Sequence, residues 1–331
     1  MYKSFFGLTR NPFDLTPDPT CFVPTTRHNE ALAALYYGIR RHKGVVVVTG
    51  EVGTGKTLLL RCLLRLFKES KEISYAYLFN CLLSPTEFLY YTLSDFGVTV
   101  SSQNKSKLLL DLSKFVSSRG LKGLTTVLIV DEAHLLSTEL LEEIRLLSNL
   151  ETNDDKLLQI VLVGQPELNE KLDSFEHRPL KQRIALRAQL TSLDADETER
   201  YISERLRIAG TGTGTSSIFT PDAIRAVYES SRGLPRLINT VCENALITAY
   251  AKQTPTVTAE LVEDVARDFH LSSPSSADAK RIQRMNEIDA EQANGHFMEM
   301  YAKKLKPNGN EVGSSKSKPF TVEAEEHESN I

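Results

Sequence analysis

The sequence predicts an α/β protein: a parallel β-sheet sandwiched between helices, followed by a small all-helical domain. Four apolar, β-branched runs alternate with helical patterns, namely VVVVTG at 45–50, ISYAYLFN at 73–80, TTVLIVDE at 125–132 and LLQIVLVGQ at 157–165. Short, uniformly apolar strands between helices are typical of parallel sheets that are buried on both faces. ALRAQL at 185–190 is a candidate for a fifth strand.

Beyond Asp194 the strand patterns end and helical patterns follow. Pro221 and Pro235 stand where helices are expected to begin, because proline is tolerated in a first turn. TGTGTSS at 211–217 is predicted to be a flexible loop between two of these helices. The predicted regions are an N-terminal segment (1–43) leading into the core, an α/β core (44–192), a helical lid domain (193–271) and a polar tail (272–331), helical in part and then disordered.

The composition is that of an ordinary globular protein, with 41% hydrophobic and 25% charged residues. A net charge of −4 gives the protein no overall positive field to attract a polyanion, although a local basic patch would still bind one. The four cysteines show no metal-ligand spacing and are expected to be reduced thiols of a cytosolic protein. The sequence contains neither a signal peptide nor an apolar run of the ~20 residues that a membrane span needs.

The run GEVGTGKT, between the first strand and the next helical pattern, matches the phosphate-binding pattern G-x-x-x-x-G-K-[ST]. In such a P-loop, glycines let backbone N–H groups wrap a phosphate, Lys56 reaches its outer oxygens and Thr57 ligates Mg²⁺. The positive end of the following helix also faces the anion. We therefore predict that ATP and Mg²⁺ bind here. The predicted cofactor-binding residues of the loop are Gly50, Glu51, Val52, Gly53, Thr54, Gly55, Lys56 and Thr57.

Asp131 and Glu132 follow four apolar residues in VLIVDEAH, at the expected carboxyl end of a strand. Ligands bind at such ends in open α/β sheets. An Asp-Glu pair alone also fits a solvated strand end, but the upstream loop favours a functional pair. Asp131 is then a cofactor-binding residue that holds Mg²⁺ together with Thr57, and Glu132 is the catalytic residue that polarises the attacking water.

Three further catalytic residues are candidates. Gln165 in LVGQPEL follows the next strand and is placed to sense the γ-phosphate, the alternative being a plain turn. Arg236 in GLPRLIN begins a helix of the lid and is placed to swing over the phosphates, the alternative being a surface arginine. Arg183, chosen over Arg178 and Arg187, is a candidate arginine finger that would enter the site of a neighbouring subunit. The alternative is that these arginines belong to a solvated, charged helix.

The motifs together resemble the AAA+ class, and more narrowly the ExeA/GspA-type ATPases of bacterial general secretion. The resemblance covers about residues 1–270 and is carried by FFGLTRNPFDLTPDP, HNEALAALYYGI, GEVGTGKT, LRLLSNLETNDDKLLQIVLVGQPEL, LKQRIALRAQL and GLPRLINTVCENAL. It implies a homo-oligomeric ATPase with a helical lid that uses ATP to help assemble a secretion or envelope complex. His134 departs from the glutamine usual after Asp-Glu-Ala. The membrane helix and peptidoglycan-binding domain of larger members are not found in this sequence.

Two other functions stay open on the sequence. One is a DNA-binding accessory ATPase of transposition or replication, since the core is also similar to TniB-like regulators and basic residues cluster at Arg40, Arg41 and Lys43. The acidic balance disfavours nucleic acid. The other is a nucleotide-gated scaffold with little turnover. For the leading function we expect a cytoplasmic protein, peripheral to the inner membrane through a partner.

Overall fold

Five parallel strands form the central sheet of the computed structural model, which describes residues 2–153, 155–210 and 218–271. The strands are β1 (Val45–Gly50), β2 (Ile73–Leu78), β3 (Thr125–Val130), β4 (Leu158–Gly164) and β5 (Ile184–Leu190). Their order across the sheet is β2-β3-β4-β1-β5, and every neighbouring pair is parallel. This arrangement confirms the predicted fold class. The predicted loop 211–217 and tail 272–331 lie outside the described residues.

Twelve α-helices occur within the described residues, most of them on the faces of the sheet or beyond its last strand. Up to β5 they are α1 (Tyr2–Phe5), α2 (Thr26–Arg40), α3 (Lys56–Lys68), α4 (Pro85–Asp95), α5 (Lys105–Gly120), α6 (Thr138–Leu147), α7 (Glu167–Asp173) and α8 (Arg178–Lys181). Beyond β5 they are α9 (Ala195–Ala209), α10 (Pro221–Ser231), α11 (Pro235–Ala251) and α12 (Ala259–Asp268). Pro221 and Pro235 begin helices as predicted. No described helix combines the length and apolar character needed to cross a bilayer.

The sheet buries both of its faces because successive residues of a strand point to opposite sides. Val45 and Val47 of β1 pack with α4, α5 and α6, whereas Val46 and Val48 pack with α2 and α3. The strands β1, β3 and β4 are buried along their whole length. The edge strand β5 instead alternates between half-buried and exposed positions up to Leu190, which explains why its apolar pattern is weaker in the sequence.

The helices after β5 share a separate hydrophobic cluster with the beginning of the chain. Tyr2, Phe6, Leu8 and Phe13 are buried in this cluster, together with residues of α9 to α12. The N-terminal segment therefore packs on the helical region as well as leading into the sheet. The boundary drawn between residues 192 and 193 stays a prediction.

One buried arginine fastens this N-terminal segment to the helical region. The guanidinium of Arg205 in α9 donates to three backbone carbonyls, those of Pro12 at 2.6 Å, Cys21 at 3.1 Å and Asp14 at 3.3 Å. On the other side, Arg61 of α3 donates to the carbonyl of Pro17 at 2.6 Å. The segment is thus bound both to the helix that follows the GEVGTGKT loop and to the helical region.

Candidate functional site

The loop 50–57 joins β1 to α3, and its conformation depends on its glycines. Gly53 and Gly55 have φ angles of +83° and +97°, which L side chains rarely adopt. A Cβ on Gly50 would lie 2.8 Å from the carbonyl oxygen of Leu190, so this position also excludes a side chain. The side chain of Thr54 donates back to the carbonyl of Glu51 at 2.8 Å, closing the loop on itself.

Helix α3 begins at Lys56 without a side-chain cap at its N-terminus. The first N–H groups of a helix lack partners inside the helix, and together with the helix dipole they attract an anion. The Nζ of Lys56 is folded over the loop, where it donates to the carbonyls of Gly50 at 2.7 Å and Glu51 at 3.0 Å. Burial lowers the pKa of Lys56, and the Glu132 and Asp131 carboxylates oppose that shift.

Asp131 lies buried at the carboxyl end of β3, and several donors hold its carboxylate. The Tyr77 hydroxyl of β2 donates to Oδ2 at 2.7 Å, and the Glu132 N–H donates to Oδ1 at 2.9 Å. Burial raises the pKa of Asp131, whereas these bonds, the charge of Lys56 and a hydrogen bond with the Thr57 side chain lower it. The structure thereby brings Thr57, the other predicted Mg²⁺ ligand, to the same carboxylate.

Glu132 adopts a left-handed backbone conformation with φ of +52°, an uncommon and costly one for a residue other than glycine. Its Oε2 is buried and accepts no hydrogen bond within the described residues, although Nδ1 of His134 lies 3.4 Å away. Burial raises the pKa of Glu132, as does the Asp131 carboxylate, while the Lys56 charge and a hydrogen bond with Gln165 lower it. A carboxylate oxygen with an unused acceptor, on a strained backbone, is suited to bind a water or a substrate proton.

Gln165 follows β4 and reaches both Glu132 and His134. Its amide nitrogen lies 3.1 Å from Nε2 of His134, and its backbone N–H lies 3.4 Å from Nδ1 of the same ring. Lys171 donates to the carbonyl of His134 at 2.6 Å, fixing the turn that carries the ring. The histidine that replaces the usual glutamine thus stands between the predicted base and the predicted sensor.

Arg236 is held against the loop through its backbone. Its N–H donates to the carbonyl of Gly53 at 3.2 Å, and a Cβ on Gly53 would lie 2.9 Å from that of Arg236. The start of α11 is positioned by Gly233, whose carbonyl accepts the Leu193 N–H at 2.8 Å. The structure therefore brings the backbone of Arg236 beside the loop, and its role over the phosphates stays a prediction.

Arg183 is held at some remove from these groups, in the turn before β5. Its guanidinium donates to Oδ1 of Asn149 at 2.8 Å and 3.2 Å and to the carbonyl of Pro179 at 2.9 Å. Arg187 contacts Asn169, and Arg178 lies over the ring of Phe175. No contact joins any of the three arginines to the loop 50–57 within the described residues. A role for Arg183 in a neighbouring subunit stays a prediction.

Sequence reasoning missed Tyr77, Gly233 and the buried His28, whose Nε2 lies 3.0 Å from the carbonyl oxygen of Thr54. Tyr77 carries a hydroxyl in the strand next to β3, and Gly233 lies two residues before Pro235, the predicted start of a lid helix. Both were visible signals. The signal for His28 was weaker, because a histidine in the first turn of a helix is unremarkable without its tertiary neighbour.

Known proteins resemble this chain in sequence and in fold. A family model described as an AAA domain matches residues 39–172. General secretion pathway protein A of Aeromonas hydrophila is 42% identical over 253 residues, which is 76% of this chain and 45% of that protein. Residues 39–172 form an AAA domain, and the chain is a relative of general secretion pathway protein A. It spans less than half the length of that relative. The AAA match includes the loop 50–57, Asp131 and Glu132.

Solved structures support the AAA fold. Cdc6p from Pyrobaculum aerophilum superposes with a TM-score of 0.59 at 17% identity, over 78% of this chain and 70% of that one. The Aeropyrum pernix ORC1 protein, solved in complex with DNA, gives 0.58 at 18% identity, over 78% and 69% of the two chains. At these identities the similarity shows a shared fold alone.

Proposed function

We propose that this protein binds ATP with Mg²⁺ and hydrolyses it in the cleft formed by the loop 50–57, Asp131 and Glu132. One observation carries the proposal. Oε2 of Glu132 accepts no hydrogen bond within the described residues, and the buried lysine of the neighbouring glycine-rich loop interacts electrostatically with the Glu132 and Asp131 carboxylates. Phosphate, metal and water are the groups that would satisfy this set together.

The residues present fit a Mg²⁺-nucleotide and not a dedicated protein metal site. The described residues contain no cluster of three or more His, Cys, Asp or Glu side chains that would hold a metal alone. Mg²⁺ is usually bound by one or two protein oxygens with waters and substrate phosphates completing the shell. Thr57 and Asp131 supply such oxygens, and the bound ion would neutralise charge on the phosphates.

The remaining roles follow from position. Lys56 exchanges its carbonyl partners for phosphate oxygens, and Glu132 accepts a hydrogen bond from the attacking water and polarises it. Gln165 senses the terminal phosphate, and its hydrogen bond with Glu132 links the presence of that phosphate to the catalytic carboxylate. Arg236 closes over the phosphates with the helical region, and Arg183 enters the site of a neighbouring copy in a homo-oligomer.

The test of this activity is Mg²⁺-dependent phosphate release by purified protein over a range of protein concentrations. Turnover per subunit is expected to rise with concentration if copies share sites. Lys56→Ala should abolish it, whereas Lys68→Ala, at the exposed far end of the same helix, should not. Absence of turnover in the wild type at every concentration, with ATP binding retained, would indicate the alternative of a nucleotide-gated scaffold.

The shared site is tested by mixing two variants that are each inactive. Lys56→Ala lacks a working loop but retains Arg183, and Arg183→Ala has the opposite defect. Mixing them is expected to restore part of the turnover, because one copy supplies the arginine to the loop of the other. If mixing restores nothing while both variants still associate, Arg183 does not act across subunits.

We further propose that the protein acts in the cytoplasm, peripheral to the inner membrane through a partner, and supports assembly of a secretion or envelope complex. The support is the 42% identity with general secretion pathway protein A. Glu132→Gln is expected to stay bound to ATP because it hydrolyses ATP slowly, and crosslinking in cell extracts should then recover secretion components with it. Lys56→Ala, which lacks a working loop, should recover fewer of these components.

The DNA-binding alternative is weakened because Arg40 is ion-paired with Glu72 at 2.7 Å and lies over the Tyr36 ring. Steeply salt-dependent retention of duplex DNA on filters would favour the alternative.

A further inference from the structure

His28 is a buried histidine in the first turn of α2, with 5% of its surface exposed. Its Nδ1 lies 2.8 Å from Oγ1 of Thr25, and its Nε2 lies 3.0 Å from the carbonyl oxygen of Thr54. A carbonyl oxygen accepts hydrogen bonds and does not donate them, so Nε2 carries the proton. Nδ1 then accepts the Thr25 hydroxyl. Burial lowers the pKa of His28, in keeping with this neutral form.

The bond to Thr54 fixes one peptide plane of the loop 50–57. The described residues contain no cis peptide bond, and in a trans peptide the C=O and the next N–H point in opposite directions. Since the carbonyl of Thr54 faces His28, the N–H of Gly55 faces away from it. This N–H is the last one before helix α3, where a bound anion is expected.

Gly55 and His28 also fit each other sterically. A Cβ on Gly55 would lie 3.0 Å from Nε2 of His28, and the φ of Gly55 is +97°. The ring of Phe22 meets that of His28 edge-on, with centroids 5.6 Å apart, and supports it from the N-terminal segment. The imidazole therefore has little freedom to leave the Thr54 carbonyl.

We propose that His28 is a positioning residue of the phosphate-binding loop, whose Nε2–H holds the Thr54–Gly55 peptide so that the Gly55 N–H faces the bound polyphosphate. This inference rests on the proposed function of the loop. It concerns the phosphates, so the nucleoside part of the ligand is not involved. Without the bond, the peptide is free to rotate and the loop loses a preformed donor.

The experiment compares His28→Gln with His28→Met, two unbranched side chains of similar length of which Gln alone carries an N–H donor. The probes are ATP and inorganic tripolyphosphate, each measured by displacement of a fluorescent ATP analogue from the loop. Binding of the probes by the wild type is first compared with binding by Lys56→Ala, which shows whether the loop is their site. If the wild type does not bind them, the proposed function fails, and this outcome is separate from a failure of the His28 proposal. Thermal unfolding without ligand shows whether each variant is folded.

For His28→Met we expect an affinity about tenfold lower for both ATP and tripolyphosphate, the scale of one lost buried hydrogen bond. His28→Gln should recover most of that loss. An unchanged affinity in His28→Met overturns the proposal, as does a loss for ATP that tripolyphosphate does not share. Equal losses in the two variants also overturn it, since packing alone would then explain them. If His28→Met does not fold, His28→Phe, which keeps a ring but has no donor, takes its place in the comparison.

Discussion

Gly233 lies between α10 and α11, where the backbone of the helical region touches the chain leaving β5. Its φ is +72°, and a Cβ added to it would lie 1.9 Å from the carbonyl oxygen of Leu193. The two residues are also joined by the hydrogen bond from Leu193 N–H to Gly233 O at 2.8 Å. Substitution by alanine must therefore separate two backbones that are bonded to each other.

The expected loss in the free energy of unfolding of Gly233→Ala has two causes. The positive φ costs an alanine roughly 1 kcal/mol. Breaking the backbone bond and moving the chain adds about 2–3 kcal/mol. Gly123 provides a matched control, because its φ is +68° but nothing lies within 4 Å of an added Cβ. We expect Gly123→Ala to lower the free energy of unfolding by about 1 kcal/mol and Gly233→Ala by about 3–4 kcal/mol.

The assay is urea denaturation of both variants, followed by ATP binding. Since α11 begins beside the loop through the Arg236 N–H and the Gly53 carbonyl, Gly233→Ala should also weaken ATP binding by about tenfold, and Gly123→Ala should not. Equal destabilisation by the two substitutions would contradict this expectation, because the Leu193 contact would then have no energetic consequence.

Three other predictions follow from single contacts. Arg205→Met leaves three carbonyls without their donor, two of them buried, and should lower the free energy of unfolding by about 3 kcal/mol; an unchanged urea midpoint would contradict this. Tyr77→Phe removes a donor from Asp131 and should raise the Mg²⁺ concentration for half-maximal turnover at least ~10-fold, whereas an identical Mg²⁺ titration would argue against Asp131 as a ligand. His134→Ala should lower kcat about tenfold at unchanged ATP affinity, and His134→Gln should retain activity; equal kcat values for all three proteins would exclude a role for the contact with Gln165.

The sheet and the loop were predictable because both are encoded locally. Apolar β-branched runs identify strands that are buried on two faces, and the loop 50–57 needs glycines at fixed spacing for its positive φ angles. A serine directly before a helical pattern is a common cap, and the side chain of Ser137 accepts the Leu140 N–H at 3.2 Å at the start of α6. In each case the cause and the consequence lie within a few residues of one another.

The fixing of the N-terminal segment was not predictable, because it depends on residues about 190 positions apart in the chain. Arg205 and Arg207 look alike in the sequence, yet Arg205 is buried while Arg207 forms a surface ion pair with Glu204. Which arginine points inward depends on how the helix packs. The left-handed backbone of Glu132 was likewise not predictable, because no local sequence signal marks a residue other than glycine for a positive φ.

We propose that Glu132 serves the chemical step and that the loop 50–57 binds the nucleotide. The decisive measurement compares ATP affinity and single-turnover hydrolysis in the wild type and Glu132→Gln. Gln preserves the shape of the side chain but is not a base, so the dissociation constant should stay within about twofold while hydrolysis slows at least ~10²-fold. Hydrolysis at the wild-type rate, or loss of binding together with hydrolysis, would contradict this assignment.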